Sequence, residues 1–386
     1  MFFEDIPSKQ TEKDFLRHQV KEARIPHAQL FLGQEGSGAL ALALAFVSYI
    51  YCEDKTPTDS CGKCKACNLT HRLIHPDLHL AFPVIKKDGL KREETTSDAF
   101  IQEWRKLILE NPYANVFDWT IAMGGDSKPN INTRECNEII QKLGLQSFTD
   151  GPKIMLIWLP EFLGKEGNRL LKLIEEPTPD TYIILVSEDQ NKILPTILSR
   201  CQLVKVPFFE DHAVKALLEK RSALSPTTMD EIIRLSGGNM SKAIRLTKSD
   251  DNSFSDLLLS WLRTSYKGDA IEMSKLANEI ASMSVDRQQQ FCEYGLHYLR
   301  EFFSWMVTGI TPKMSNTEIE SSKKLSAIVD AEKMSAIAAV VQEIIYAINR
   351  NANQKVLWMA QSITVGDILR NKANNYVEKF NFANQI

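Results

Sequence analysis

The stretch AQLFLGQEGSGALALALAFVSYI, residues 28–50, decides the fold of the first part of the chain. It opens with a short apolar run over 28–32, passes through a loop that contains Gly33, Gly36 and Gly38, and continues as an apolar, alanine-rich segment of helical length. A strand, a glycine loop and a helix in this order are typical of parallel α/β sheets. We therefore expect residues 28–50 to form the first strand, turn and helix of such a sheet.

Similar apolar runs recur further along the chain. Strands are predicted over 153–158, 182–187 and 201–206, with a helix over 167–175. Strands that are apolar throughout and are separated by helices indicate a parallel sheet that is covered by helices on both faces. The chain up to Pro207 is thus predicted to form one α/β domain.

After Pro207 the pattern becomes helical. Three short helices are predicted over 211–220, 227–235 and 241–246, and the helical signal resumes from Ser253 almost to the end. Its clearest part places five aromatic residues three or four positions apart, on one face of a long helix. They are Phe291, Tyr294, Tyr298, Phe302 and Trp305.

Three parts follow from these patterns. An α/β domain spans 1–207, a small helical domain spans 208–250, and a helical domain spans 251–386. Within the first, a cysteine-rich module is predicted at about 52–67 and an insertion at about 86–128. The start of the insertion has no clear period, and we expect it to be mobile.

Composition limits the class of protein. The 386 residues include 46 Lys and Arg against 49 Asp and Glu, a net charge of −3, and 44% of them are hydrophobic. These values exclude a disordered, collagen-like or coiled-coil chain and suggest two or three domains. They also argue against a protein that binds nucleic acid through a large positive net charge of its own.

The sequence also indicates where the protein is located. The first residues lack the layout of a signal peptide, and the longest apolar run is too short for a membrane span, so we expect a cytoplasmic protein with no membrane partner.

Four of the seven cysteines fall within sixteen residues, as Cys52-x8-Cys61-x2-Cys64-x2-Cys67. In a reducing compartment, such crowding favours a metal over disulfides. Thiolates at this spacing suit tetrahedral Zn²⁺, and because all four positions are filled by protein, a structural zinc is predicted rather than a catalytic one. His71, His75 and His79 are interpreted as surface or packing residues, because Pro76 interrupts any helix that would align them.

The loop at Gly33, Gly36 and Gly38 lies where a phosphate-binding loop would lie. A working loop ends in Lys and a hydroxyl residue, which handle the phosphate charge and magnesium, but Ala39 and Leu40 occupy those positions here. The loop is therefore either a degenerate, empty phosphate loop or a tight turn, and we expect ATP to bind weakly or not at all.

A nucleotide hydrolase also carries acids after the strand predicted at 153–158. This strand ends in Trp158, which cannot bind magnesium, and the nearby Glu161 is expected to be a solvated loop carboxylate. Arg200, in Ser-Arg-Cys before the last strand, has two possible roles. It is either a solvated or ion-paired side chain, or it reaches a phosphate on a neighbouring subunit.

Four segments together resemble the bacterial DNA polymerase III clamp-loader subunits, which are AAA+ proteins. They are PHAQLFLG at 26–33, the cysteine cluster, NRLLKLIEEP at 168–177 and LPTILSRC at 194–201. The resemblance is strong over about 24–206, apart from the insertion, and faint in the last third, where helical character and Asn351-Ala-Asn353 are similar to the family's oligomerising collar. It implies an α/β AAA+ fold, a RecA-like parallel sheet with helices on both faces, followed by a small helical lid and an all-α collar.

Departures from the family pattern indicate the kind of subunit. The motor subunits keep the loop Lys and an Asp-Glu pair, where this chain has Ala39 and Trp158-Leu159, and Ser241 stands where the family has a third, nucleotide-sensing Arg. The surviving Ser-Arg-Cys motif acts in the family on the neighbour's ATP, which implies that Arg200 is an arginine finger in trans. The chain is thus similar to the non-hydrolysing delta prime type of member.

The resemblance implies partners as well. They are the motor subunits of gamma and tau type, the delta subunit, the sliding clamp, and primed DNA within the assembled complex. Two other functions stay open at this point, an active AAA+ ATPase with degenerate motifs and a zinc-dependent DNA-binding module. The first is weakened by the simultaneous loss of Lys, hydroxyl and Asp, and the second by the lack of a basic stripe around the cysteines.

Overall fold

The computed structural model describes residues 1–371 except 88, 90, 92–94, 125–127, 222–223, 248–253, 310, 311, 313, 315, 349 and 351. The chain divides into two compact units, Met1–Thr247 and Lys248–Ile386. The short helices that follow Pro207 belong to the first unit, and the boundary predicted between 250 and 251 lies outside the described residues. The division into three domains stays a prediction.

A five-stranded parallel sheet forms the centre of the first unit. Its strands are β1 Ala28–Leu32, β2 Leu78–Ala81, β3 Lys153–Trp158, β4 Thr181–Ser187 and β5 Gln202–Lys205. They lie in the order β2-β3-β4-β1-β5, and Leu30 of β1 lies between Leu185 of β4 and Leu203 of β5. Four of the five strands match the sequence prediction, and β2 does not, because it is only four residues long and contains a histidine.

Helices cover both faces of this sheet. The helices of the first unit are α1 Gln10–Lys21, α2 Ala39–Tyr51, α3 Lys65–His71, α4 Ile101–Glu110, α5 Val116–Ala122, α6 Thr133–Gly144, α7 Leu171–Glu175, α8 Pro195–Leu198, α9 Asp211–Arg221, α10 Pro226–Ser236 and α11 Met240–Leu246. Short 3-10 segments occur at Ser97–Phe100, Pro160–Leu170 and Gln190–Lys192. The alternation of strands and helices confirms the α/β fold class, with a parallel sheet and helices on both faces.

Helix α2 is the most deeply buried helix of the sheet. Every one of its residues from Ala39 to Tyr51 is buried, as expected for a helix that is apolar on all sides. The ring of Phe46 lies 6.1 Å from that of Phe31 on β1. The opposite face of the sheet carries a separate cluster in which Met155 and Ile157 of β3 pack with Ile139 and Leu143 of α6. Leu30 of β1 belongs to this second cluster, whereas its neighbour Phe31 packs on α2. Alternate residues of one strand therefore pack into two different cores.

The predicted insertion at 86–128 contains two helices and is packed against the sheet. Trp104 of α4 and Trp119 of α5 are both fully buried, and their rings lie 4.9 and 5.2 Å from Phe82, directly after β2. The Trp119 indole also donates a 2.7 Å hydrogen bond to the Pro83 carbonyl. The expectation of a mobile start concerns mainly 88–94, where residues 88, 90 and 92–94 lie outside the described part of the chain.

The second unit is helical. Its helices are α12 Phe254–Lys267, α13 Ala270–Ala281, α14 Val285–Thr308, α15 Asn316–Leu325, α16 Ala331–Ile348 and α17 Gln354–Leu369. The predicted aromatic face lies on α14, where Phe291, Tyr294, Tyr298 and Phe302 are buried. The all-α character expected for the last third is confirmed. Within the described ranges, no helix combines the length and the apolar character needed to cross a lipid bilayer.

Candidate functional site

The four clustered cysteines converge at the end of α2. Cys52 directly follows this helix, Cys64 caps the N-terminus of α3, and Cys67 lies in the first turn of α3. Their sulfur atoms all lie within 4.8 Å of one another, and the Cys61 and Cys67 sulfurs are 4.0 Å apart. Four sulfurs held tetrahedrally about 2.3 Å from a zinc ion would be about 3.8 Å apart. The cluster can therefore hold a metal ion.

Backbone groups prepare this cluster for anionic sulfur. The amides of Lys63 and Cys64 donate to the Cys61 sulfur at 3.4 and 3.3 Å, and the Cys67 amide donates to the Cys64 sulfur at 3.3 Å. The two donors at Cys61 lower the pKa of its thiol to about 6. Gly62 turns the chain between these residues with φ +70°, and a Cβ there would lie 2.7 Å from the Phe2 ring. A metal would offset the repulsion between four neighbouring thiolates.

The histidines that follow the cysteines do not join them. The metal-ligating cluster of the described residues contains cysteines only. The His75 ring stacks on Tyr51 at 3.9 Å, and His71 meets Phe2 edge-on at 4.1 Å. These contacts agree with the interpretation of both histidines as packing residues.

The glycine loop lies at the other end of α2. Gly36 and Gly38 adopt left-handed backbone with φ of +74° and +86°, which explains the glycines at these two positions. Ala39 and Leu40 follow as buried residues of the helix. The cavity at the loop measures about 20 Å³, which is room for about one water molecule. Typical cavities for small ligands measure about 300 to 1,000 Å³.

Residues far apart in the chain close this loop. A Cβ on Gly38 would lie 2.7 Å from the ring of Phe209, and Tyr113 of the insertion packs against that ring with centroids 5.8 Å apart. From the other side, the amide of Met240, on α11, donates to the Gly36 carbonyl at 2.9 Å. Sequence reasoning missed these residues because no motif marks an aromatic side chain that packs across more than seventy positions.

Glu35 connects the loop to both of these neighbours. The side-chain amide of Asn115 donates to the Glu35 carboxylate at 2.8 Å, and Arg245 of α11 forms an ion pair with the same carboxylate at 3.4 Å. Ser241 is buried on α11, and its amide nitrogen would lie 3.0 Å from a Cβ on Gly36. The loop, the insertion and α11 thus form one continuous contact.

Glu161 is not the solvated carboxylate that we expected. It accepts hydrogen bonds from the Ser187 hydroxyl at 2.7 Å and from the amides of Glu188 and Asp189 at 2.5 and 3.0 Å. The prediction was wrong because β4 ends next to β3, which brings these donors to Glu161 from more than twenty positions away. Trp158 itself is 2% exposed and packs near Trp104.

A second carboxyl near the loop is Glu188, which also lines the small cavity. Burial, together with the charges of Glu35 and Glu161, raises the pKa of Glu188 to about 8. Three carboxyl groups therefore gather where a nucleotide-binding protein concentrates positive charge. This clustering of carboxyl groups opposes the binding of an anionic nucleotide, in addition to the absence of the loop Lys.

Arg200 lies directly after α8 and has partners within its own chain. Its guanidinium pairs with Glu175, the last residue of α7, and donates at 2.8 Å to the Thr196 carbonyl. The side chain keeps 34% of its accessible surface. Arg200 is therefore ion-paired in the single chain and still reachable from outside.

Comparison with known proteins places these features in a family. A family profile described as DNA polymerase III, delta subunit, matches residues 8–210. A DNA polymerase III subunit delta' of Bacillus subtilis (strain 168) is 27% identical over 236 residues, which are 61% of this chain and 58% of that protein. The delta' subunit of Pseudomonas aeruginosa is 27% identical over 226 residues, 58% of this chain and 56% of the relative.

The delta' subunit of Escherichia coli (strain K12) is 25% identical over 229 residues, which cover 58% of this chain and 55% of that subunit. The chain thus spans less than two thirds of the length of each of these relatives. The matched profile covers more than half of the chain and includes the whole sheet, the cysteine cluster and the glycine loop. The chain therefore belongs to the DNA polymerase III delta-subunit family, and delta' subunits are among its relatives.

Proposed function

We propose that this chain is a non-hydrolysing, delta prime-type subunit of a DNA polymerase III clamp loader, which helps to load a sliding clamp onto primed DNA. One observation carries the proposal. The glycine loop has neither Lys nor hydroxyl at Ala39 and Leu40, and its cavity of about 20 Å³ is closed by the chain's own residues. A protein that keeps the fold but has no room for nucleotide acts through its surfaces rather than by hydrolysis.

The charges around the loop support the same conclusion. A triphosphate with magnesium needs cationic donors at the loop and a carboxylate for the metal. Here the loop itself contains Glu35 and lies near Glu188, and the carboxylate of Glu161 already accepts hydrogen bonds from the end of β4. ATP binding is therefore expected to be weak or absent.

The cysteine cluster is proposed to hold a structural Zn²⁺. Cys52, Cys61, Cys64 and Cys67 supply four sulfur ligands, which leaves no open position for a substrate. The ion would hold α3 and the turn at Gly62 against the end of α2, because the loop from 52 to 64 has no strand or helix of its own. Its role is to fold this module.

The proposed partners are the motor subunits of gamma and tau type, the delta subunit, the sliding clamp, and primed DNA in the assembled complex. In this arrangement the helices after 250 form the oligomerising collar, and Arg200 reaches the ATP of an adjoining motor subunit. Its partly exposed position after α8 and its permanent charge suit that role. To act in trans, Arg200 must exchange its pairing with Glu175 for phosphate oxygens.

The two other functions have less support. An active ATPase would need the loop cavity to expand by more than tenfold to reach the range of typical ligand sites. A zinc-dependent DNA-binding module would need a basic surface, whereas between Cys52 and Cys67 three lysines are balanced by three acids.

Nucleotide binding by the isolated chain tests the proposal. Calorimetric titration with ATP and magnesium should give no saturable binding in the micromolar range, and Ala39→Lys should not create hydrolysis, because Trp158 still leaves magnesium without a carboxylate. A purified gamma/tau-type subunit provides the positive control in the same buffer. Micromolar, magnesium-dependent ATP binding by the unmodified chain, or failure to co-purify with motor subunits after co-expression, would overturn the proposal.

A further inference from the structure

The first unit contains a second and much larger cavity, of about 320 Å³. It lies between the end of α4, helix α9 and the C-terminal end of α3, with Leu109, Leu217 and His71 among its lining residues. Its volume falls in the range of about 300 to 1,000 Å³ that is typical of sites for small molecules. The residues proposed for zinc binding, the glycine loop and Arg200 do not line it.

The inner part of this cavity is apolar. Leu44 of α2, Ile108 of α4 and Leu217 of α9 line it and are each less than 9% exposed. Binding of a hydrocarbon group that displaces water from such an apolar surface is favourable in free energy. The inner part therefore suits the apolar body of a ligand.

The outer part carries two cations. Lys220 and Arg221 lie in the last turn of α9, and among the described residues neither has a hydrogen bond or an ion pair. The acid that lines the cavity, Asp5, already accepts a 2.8 Å hydrogen bond from the Phe2 amide. Near the same cavity, the Nε2 atom of His71 is buried without a hydrogen-bond partner in the described structure. Two unpaired cations and an unsatisfied imidazole nitrogen favour an anionic group with acceptor oxygens.

We propose that this cavity binds a small organic acid, with its apolar body among Leu44, Ile108 and Leu217 and its acid group at Lys220 and Arg221. The ligand would contact the insertion, α9 and the C-terminal end of α3 at once. Pro112 and Tyr113 line both this cavity and the small one at the glycine loop. Occupancy would therefore stabilise the closure of the loop, by an amount that rises with the logarithm of the ligand concentration once this exceeds the dissociation constant.

Two probes test the site, octanoate and octan-1-ol, which share an eight-carbon chain and differ in whether the head group is an anionic carboxylate or a neutral hydroxyl. Both are titrated calorimetrically into the full zinc-loaded chain. Octanoate should bind saturably and more tightly than octan-1-ol. The double change Lys220→Gln with Arg221→Gln should weaken octanoate binding by roughly fivefold to tenfold, because partly exposed ion pairs contribute modestly. It should leave octan-1-ol binding unchanged. Lys215→Gln, on the same helix but outside the cavity, is the matched control and should alter neither.

A cavity-filling variant locates the binding. Leu109 is 53% exposed and lines the cavity, so Leu109→Trp should fill the cavity without disturbing the fold and should abolish binding of both probes. Leu145→Trp, at another exposed leucine, serves as its control. The proposal is overturned if octanoate does not bind saturably, if the double variant binds it as tightly as the parent chain, or if Leu109→Trp leaves binding intact.

Discussion

Helix α2 joins two regions that differ in what they can bind, the cysteine cluster and the glycine loop. Helix α2 begins at the glycine loop and ends at Cys52, so that the loop and the cysteine cluster are about 20 Å apart, at 1.5 Å per residue over thirteen residues. At the cysteine end, every residue needed for a metal is present and the sulfur atoms have converged. At the loop end, the residues that handle phosphate charge are absent and neighbouring side chains fill the space.

The difference separates two requirements for a site. A metal site depends on a few side chains of one type, and a nucleotide site depends on charged groups and also on empty space. The loop end of α2 has neither the groups nor the space, and Tyr113, Phe209 and Met240 make packing contacts there instead. A strand, glycine loop and helix can thus serve as a packing element without the groups that bind a nucleotide.

Removing one cysteine should have the largest effect. Binding of structural zinc contributes about 10 to 16 kcal/mol in small zinc modules, so Cys64→Ser should release the metal and loosen residues 52–71. The helical second unit should stay folded. Elemental analysis and limited proteolysis measure the two outcomes. Cys201→Ser, a cysteine outside the cluster, is the control and should keep one zinc per chain. A parent protein with no zinc and four free thiols would contradict the prediction.

Arg200→Ala should have the next largest effect, in a reconstituted clamp loader. Arginine fingers contribute about 10³ to 10⁵ in rate where hydrolysis depends on them, or about 4 to 7 kcal/mol, although several active sites in one ring dilute the loss. Clamp-stimulated ATPase and loading rates should fall, and Arg200→Lys should rescue them poorly, because a point charge does not reproduce the planar fork.

Two further variants distinguish action in trans from the ion pair in cis. Glu175→Gln breaks the pair with Arg200 and should retain loading, whereas Arg169→Ala removes an exposed arginine that pairs with Glu166 and serves as a neutral control. If complexes that carry Arg200→Ala load clamps at the parent rate across ATP concentrations, the role in trans is wrong.

The pH dependence of stability provides a third test, at the loop end of α2. The folded-state pKa of Glu188, about 8, lies above the ordinary value of 4.5, so the folded chain keeps a proton that the unfolded chain releases. Stability should therefore fall as the pH rises from about 4.5 to about 8 and should level off above that. Glu188→Gln should remove this slope in urea denaturation at several pH values, and Glu176→Gln, at an exposed carboxylate, should retain it. Equal slopes for all three proteins would show that Glu188 ionises normally.

The smallest effect is expected at Asn115. Its side chain both caps α5, by accepting from the Asp118 amide at 2.8 Å, and donates to Glu35 at 2.8 Å. Asn115→Ala loses both contacts and should reduce the free energy of unfolding by about 1 to 3 kcal/mol. Asn115→Ser keeps an N-cap acceptor but is too short to reach Glu35, so it should cost less. Urea denaturation compares them, and an unchanged midpoint for Asn115→Ala would argue against closure of the loop through Glu35.

The parts that were predicted from the sequence share one property, namely that their residues lie close together in the sequence. The cysteine cluster spans sixteen residues, and the strand, glycine loop and α2 are contiguous, so spacing and residue type were sufficient to predict them. Strand β2 was missed, since four residues with a central His79 do not differ in pattern from a loop. Glu161 was misjudged because its donors at Ser187, Glu188 and Asp189 come from a different strand.

The sequence by itself determined which chemical groups are present: four thiols at metal-ligand spacing, no Lys or hydroxyl after the glycines, and Trp158 where an acid would bind magnesium. Residue identity settles such questions, because no fold can supply a charge that the side chains lack. Only the tertiary structure decided that Tyr113, Phe209 and Met240 close the loop, and that Lys220 and Arg221 flank an apolar cavity. These arrangements depend on side chains that are distant in sequence and are brought together by the packing of helices on the sheet, which periodicity and spacing do not encode.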